Sequence, residues 1–365
     1  MKRIAIIVED DWELNGNGTG NVAEIQYLPA RFLMDLTRKY GFKVTFMVEV
    51  LQQLNFRMYQ GRHDTLRTQA DLWDATLREM KSEGHDVQLH IHPQWHGAVF
   101  KDGHFHLSNA WNLATFAKER RLDMITKSVE YLHQVLSTVE PEPTIHSMKA
   151  GSWALQPSRG LLEDLESVGI RVVMGVGKGI YFRGEGFDVD YRSLQSPDLP
   201  YYPDYDDICR ISERQGGIIV CPLAWYRVHL RDVLTRALAK LTRDPCKKAV
   251  SEFLQAPKAL GRSSPMGNQM SFRLVRPLDI ARNPLCELKA ALDRIVSRAL
   301  NSTAPFVPIV LQSHTKRYSG NWDNLSRFFR YMTSRFHDVA DFVTLSEALP
   351  RLDSVAQFGK QDRSS

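Results

Sequence analysis

Three histidines fall within seven residues in Leu89-His90-Ile91-His92-Pro93-Gln94-Trp95-His96, and an acidic cluster, Glu9-Asp10-Asp11, closes an apolar run near the amino terminus. Neutral imidazoles with a carboxylate are the donor set of catalytic zinc and related divalent ions. Residues two apart on a strand share a face, so His90 and His92 can bind one ion together. His96, four beyond His92, is the alternative ligand if the chain turns helical after Pro93. Asp11 would complete a three-ligand set and leave the fourth position that a catalytic ion needs. A lone His-X-His is more often a solvated pair, and His104 and His106 make the whole stretch His-rich. The acidic strand end tips the balance toward a site for one divalent ion, with zinc favoured.

Asp10 and Asp11 are adjacent and cannot share one role. With Asp11 on the ion, Asp10 is the free carboxylate that takes a proton from the attacking water. An ion lowers the pKa of that water toward ~7, so a modest base suffices. Glu9 competes for either role. In a strand Glu9 and Asp11 share a face and could be base and ligand, with Asp10 turned away. Lys149 and His314 also sit at or just past predicted strand ends, where α/β folds place their sites. Lys149 can orient a carboxylate base through a charge-assisted bond, and His314 can protonate a leaving group. Trp95 and Trp153 lie beside these segments and could stack on a sugar ring, although such aromatics are more often core.

The elements that must position these groups alternate along the chain. Apolar or β-branched runs predict strands at 3–8, 42–48, 86–91, 144–149, 171–176, 217–221, 306–311 and 340–343. Helical spacing predicts helices at 23–40, 66–82, 113–139, 161–168 and 325–336. Such alternation implies an α/β fold with a parallel sheet covered by helices. The segment 15–21 (Asn-Gly-Asn-Gly-Thr-Gly-Asn) reads as a mobile rim loop. It is no phosphate loop, because no Gly-Lys-Ser/Thr follows.

The chain has 365 residues, enough for one large domain or two smaller ones, with 43% hydrophobic and 24% charged residues as in ordinary globular proteins. Net charge is +5, but residues 227–300 hold 15 Lys/Arg against 6 Asp/Glu. That basic, partly helical segment reads as an insertion at 227–301 within a single domain spanning 1–350, followed by a polar tail at 353–365. Its charge could meet a diphosphate, an anionic glycan or a membrane surface, while its pattern is not that of a nucleic-acid module. No run approaches the ~18–20 apolar residues of a membrane span. The four cysteines are widely spaced and form no Cys-X-X-Cys pair, so they read as reduced thiols in a cytoplasmic protein.

Taken in order, four segments resemble the polysaccharide deacetylase superfamily (NodB-type, carbohydrate esterase family 4). Asp10-Asp11 resembles its first motif, which holds a base followed by a metal ligand. Gly84-His85-Asp86 resembles the lead-in to its two metal-binding histidines, with His90 and His92-Pro93 in the motif itself. The family spacing of four is met by His92 and His96, whereas His90 and His92 are two apart. Lys149-Ala150-Gly151-Ser152-Trp153 resembles a third motif, with lysine where arginine is usual. Val310-Leu311-Gln312-Ser313-His314-Thr315 resembles the strand ending in a catalytic-acid histidine. The resemblance covers residues 1–226 and 302–350.

It implies a distorted (β/α) barrel of about seven parallel strands and metal-dependent hydrolysis of an N-acetyl group on an amino sugar. A backbone N–H and the ion would hold the oxyanion, and His314 would protonate the leaving amine. With no secretion signal, the expected partner is an acetylated sugar or glycan precursor, phosphate- or lipid-linked, in surface-polysaccharide assembly. Two other readings are hydrolysis of a non-sugar C–N bond, as in an amide or ureide, and a non-catalytic relative that binds glycan.

Overall fold

Ile4, Ile6, Ile7 and Val8 are almost wholly buried. A run apolar on both faces suits a strand sandwiched between a barrel interior and covering helices, and each such side chain contributes ~1.5–3 kcal/mol. This strand, β1, runs Ile4–Trp12. In the computed structural model, which describes residues 2–184, 187–214, 216–229, 232, 274–317 and 322–361, seven further strands join it. They are β2 (Thr45–Glu49), β3 (Asp86–Ile91), β4 (Ser147–Ala150), β5 (Val172–Met174), β6 (Ile219–Val220), β7 (Val307–Ser313) and β8 (Ala340–Phe342).

The strands pair in the order β6-β5-β4-β3-β2-β1-β7, all parallel. The short β8 pairs with β1 at Ile4–Ile6, below the point where β2 takes over at Glu9. The sheet curls so that its two ends are bridged. Leu223 N–H donates to the Val176 carbonyl at 2.8 Å and Ala224 N–H to the Val310 carbonyl at 2.9 Å. Leu278 and Ile280 add a second bridge onto Ala224 and Gln312. Irregular chain replaces a full ladder at this seam, which is the distortion of the barrel.

Helices cover the outside: α1 (Leu28–Tyr40), α2 (Val50–Tyr59), α3 (Asp64–Ser82), α4 (Lys118–Leu136), α5 (Leu161–Ser167), α6 (Leu285–Leu300), α7 (Trp322–Phe336) and α8 (Leu345–Gln361). A π-helical turn at Ala23–Tyr27 leads into α1. α1 ends on Gly41 at φ 74°, a left-handed cap that glycine adopts without a Cβ clash.

Three elements differ from the sequence reading. β1 continues through the acidic cluster to Trp12 instead of stopping before it. α2 follows β2 directly, because the Glu49 side chain caps it by accepting from Leu51 and Gln52 N–H. The stretch expected as a polar tail from 353 continues as helix to Gln361, with Val355 and Ala356 buried. α8 starts where Ser346 N–H and hydroxyl reach the Asp86 carboxylate, so the helix plugs the amino end of the barrel.

Most of the basic segment at 227–301, including Arg243, Lys247 and Lys248, lies outside the described residues. The part that is described belongs to the barrel. Asp279 pairs with Gln312, and α6 packs on β7 and α7. The described Cys209, Cys221 and Cys286 are free thiols. No helix among the described residues is long and apolar enough to cross a membrane.

Candidate functional site

Register carries side chains from five strands onto one interior face. Glu49 pairs with His90, His90 with Lys149, and Glu9 with Gln312. Parallel partners share a face, and β1 alternates, so Glu9 and Asp11 look inward while Asp10 is carried on the other face. The Lys149 ammonium confirms this parity, lying 2.7 Å from Glu9 Oε1, 2.8 Å from Asp11 Oδ1 and 3.2 Å from Gln312 Oε1. Lys149 is only 1% exposed. Asp11 and Glu9 hold its ammonium in the charged form despite burial, which pulls the other way.

Past the end of β1 the same alternation delivers Glu13. Its Oε2 lies 2.8 Å from His92 Nε2 and its Oε1 2.6 Å from Lys316 Nζ. Burial works against the Glu13 charge, but His92 and Lys316 outweigh it and hold the carboxyl well below its usual range. His92 is likewise penalised by burial and raised overall by Glu13 and Glu49. Its ring also meets Gln94 Oε1 at 3.2 Å, and its backbone N–H donates to Glu49. Burial pushes Glu49 up to about 8.

His90 differs from His92. Its Nδ1 faces the Lys149 carbonyl at 2.8 Å, so the proton belongs on that nitrogen. Nε2 is buried without a hydrogen-bond partner. Burial lowers the ring to about 4, so it is neutral and offers a lone pair. A histidine tied at Nδ1 to a carbonyl with Nε2 free is the arrangement of a metal ligand.

His314 follows β7 and lies between two carboxylates, with Nε2 3.1 Å from Asp11 Oδ2 and Nδ1 3.5 Å from Asp279 Oδ2. Burial opposes both carboxylate charges. Lys149, His90 and His314 nevertheless hold Asp11 far below its ordinary value, and His314 with Arg282 brings Asp279 to about 2. Glu9, deeper still, is raised by burial that Lys149 does not overcome.

Among the described residues, two groups of three bring their donor atoms within 4.8 Å of one another: Glu13, His90 and His92, and Asp11, Glu13 and His314. A divalent ion fits the first group by donor chemistry, since it would satisfy the orphaned His90 Nε2 and replace the proton shared by His92 and Glu13.

The structure thus brings His90, His92, Asp11, Lys149 and His314 together as expected from their strand ends. His96 stands apart. It closes a 3-10 turn at Pro93–Trp95, half-buried and edge-on to Phe116. Trp95 packs among Phe56 and Phe105 in the core. Trp153 is coupled to the cluster, because its indole N–H donates to Gln312 Oε1 at 2.8 Å. It sits on a turn where Ser152 and Trp153 have φ 57° and 56°, left-handed values that are costly for such residues and recur at functional sites. Gly151, at the start of that turn, leaves room for His92. A Cβ there would come 2.6 Å from the imidazole Nδ1.

Glu13, Glu49, Asp279, Gln312 and Lys316 were not among the residues singled out from sequence. Glu13 was findable, as the third acid in the same-face series Glu9, Asp11, Glu13. Asp279 carried no such signal, because it lies in the segment read as an insertion.

No family model and no curated protein matches the sequence. Solved structures do. A Mycobacterium smegmatis protein classed as a polysaccharide deacetylase matches at TM-score 0.52 and 11% identity over 97% of this chain and 91% of its own. A Pseudomonas aeruginosa protein of the same class gives TM-score 0.46 at 12% identity, covering 95% and 89%. Puue allantoinase gives 0.47 at 11% identity, covering 95% and 89%. The first of these shows the fold: this chain is a distorted (β/α) barrel like that neighbour, the architecture that the resemblance of its four ordered segments implies.

Proposed function

We propose that this protein is a metal-dependent hydrolase that removes an N-acetyl group from an amino sugar, acting on a precursor of a surface polysaccharide. The observation that carries the reading is the buried, unpartnered His90 Nε2, set against His92 and a β1 carboxylate and beside the Lys149–Asp11–His314 chain. His90 and His92 supply two ligands and a carboxylate of the β1 row the third. A divalent ion there would polarise the acyl carbonyl and lower the pKa of the attacking water.

The residues around it divide the remaining work. An inward carboxylate of β1 accepts the proton of the water, and the Lys149 ammonium holds this pair of carboxylates in place by a charge-assisted bond to Glu9 and an ion pair to Asp11. Asp10 faces away, so the proton falls to the Glu9–Asp11 face. His314 donates to the departing amine, with the Asp279 carboxylate 3.5 Å from its other nitrogen to favour the protonated ring. Trp153, buried against Phe182, is tethered to Gln312 and braces the cluster from behind instead of offering a free face to a sugar.

The test is acetate release from N-acetylglucosamine oligomers and from a nucleotide-linked N-acetyl sugar, using protein stripped with chelator and then loaded with zinc. The reading expects release only after loading. Cleavage of a small amide or ureide with no acetate from either sugar would move the reaction to a non-sugar C–N bond.

A further inference from the structure

We infer that the carboxylate ligand of the ion is Glu13, and that Asp11, the position the resemblance assigns to the ion, is instead the proton acceptor. This rests on the metal-hydrolase reading above and specifies which residue does what within it. Three observations converge. Of the two three-donor groups among the described residues, the one containing both His90 and His92 contains Glu13 and not Asp11. Asp11 already sits between two cationic or ionisable nitrogens, Oδ1 in an ion pair 2.8 Å from the Lys149 ammonium and Oδ2 3.1 Å from His314 Nε2. A divalent cation bound at that carboxylate would lie beside a fully buried positive charge. The third observation is His90 Nε2, buried and without a hydrogen-bond partner, on a ring that offers a donor within 4.8 Å of those of Glu13 and His92.

Glu13 is built as a ligand. Its Oε2 meets His92 Nε2 at 2.8 Å, a contact where an ion can replace one proton. Its Oε1 is anchored by Lys316 at 2.6 Å, and Lys316 is itself held by the Leu14 carbonyl at 3.1 Å. An anchored second oxygen is how ligating carboxylates are commonly oriented. The chain places Glu13 two residues beyond Asp11 on the same side of an extended segment, so base and ligand are alternate residues and not neighbours.

The division of labour balances. Water oxygen bonds to the acyl carbon and its proton passes to Asp11. The C–N bond breaks and the amine takes a proton from His314. Acetate and free amine leave.

The experiment titrates Co2+ alone into chelator-stripped wild type, Glu13→Gln, Glu13→Asp and Asp11→Asn. It reads bound ion by elemental analysis and the d–d absorption of the bound cobalt. Glu13→Gln is expected to weaken binding by about 100-fold or more, beyond the ~10–100-fold of losing an outer partner. Glu13→Asp retains an anionic carboxylate and should recover part of the binding with an altered spectrum, which shows that a folded site is being read. Asp11→Asn should bind within about threefold of wild type while kcat falls ~10²–10⁴-fold. Loss of the ion in Asp11→Asn with retention in Glu13→Gln would overturn the assignment and leave the metal-hydrolase reading intact. Equal loss in both would also overturn it. Failure of wild type to bind any ion would sink that reading itself.

Discussion

Replacing Lys149 with methionine removes the one ammonium among the described residues that touches both Glu9 and Asp11 and leaves a side chain of similar length. In the native protein Lys149 lies 2.7 Å from Glu9, 2.8 Å from Asp11 and 3.2 Å from Gln312, with 1% of its surface exposed. Stranding a buried charge by deleting its partner costs ~3–5 kcal/mol. Two features place this case near the lower end. Glu9 is already pushed up by burial and can take a proton, and Asp11 keeps its contact with His314. The expected loss is therefore about 3 kcal/mol, a large share of the ~5–15 kcal/mol that holds a domain folded. Urea unfolding followed by tryptophan fluorescence at pH 7 measures it. The loss should shrink toward pH 4, because the stranded carboxyls then take up protons in the folded state. Adding Glu9→Gln should restore about 1 kcal/mol or more relative to the additive sum, since the two groups share one contact. A Lys149→Met protein within about 0.5 kcal/mol of wild type and showing no coupling to Glu9 would refute this account of the buried pair.

His85 gives a pH-dependent expectation away from the site. Burial lowers its ring to about 4, and its Nδ1 accepts from Val44 N–H at 3.1 Å. The unfolded chain binds the proton below ~6.5 and the folded one does not until about 4. Stability should thus fall by up to about 3 kcal/mol across that window, and His85→Asn should abolish this part of the slope; parallel slopes for the two proteins would contradict it. Gly151→Ala should displace the His92 ring and weaken Zn2+ binding by ~10–100-fold in a chelator competition, since a Cβ would sit 2.6 Å from Nδ1; unchanged affinity would show that the ring can yield. His314→Ala should leave bound metal and fold intact but lower kcat by ~10²–10⁴-fold. An active variant would mean that another group protonates the amine.

The alternation of strands and helices was legible because most strands carry apolar runs and most of the long helices an apolar stripe, while the closure into a barrel was implied only by the resemblance. β3 and α5 fall within a residue of where the pattern put them. Periodicity failed where a side chain, not a pattern, decides the structure. The Glu49 cap starts α2 directly after β2, and the buried Lys149–Glu9–Asp11 contact keeps β1 extended through three consecutive acids. Those acids look like a strand end only when their partner cation, 140 residues away, is unknown. Glu13 could be found as the next acid of that same-face series, but not its role, because its partners His92 and Lys316 arrive from the end of β3 and from the turn after β7. Asp279 was unreadable for a different reason. Its role depends on the seam that closes the barrel, and closure is a property of the whole sheet.

The most direct test of the central claim is acetate release measured as Zn2+ is titrated into chelator-stripped protein with an N-acetylated glucosamine oligomer as substrate. The account expects no release from the stripped protein and a rise that saturates at about one ion per chain, as a single three-ligand site requires. Release that is already complete in the stripped protein, or that stays at zero with the ion bound, would contradict it.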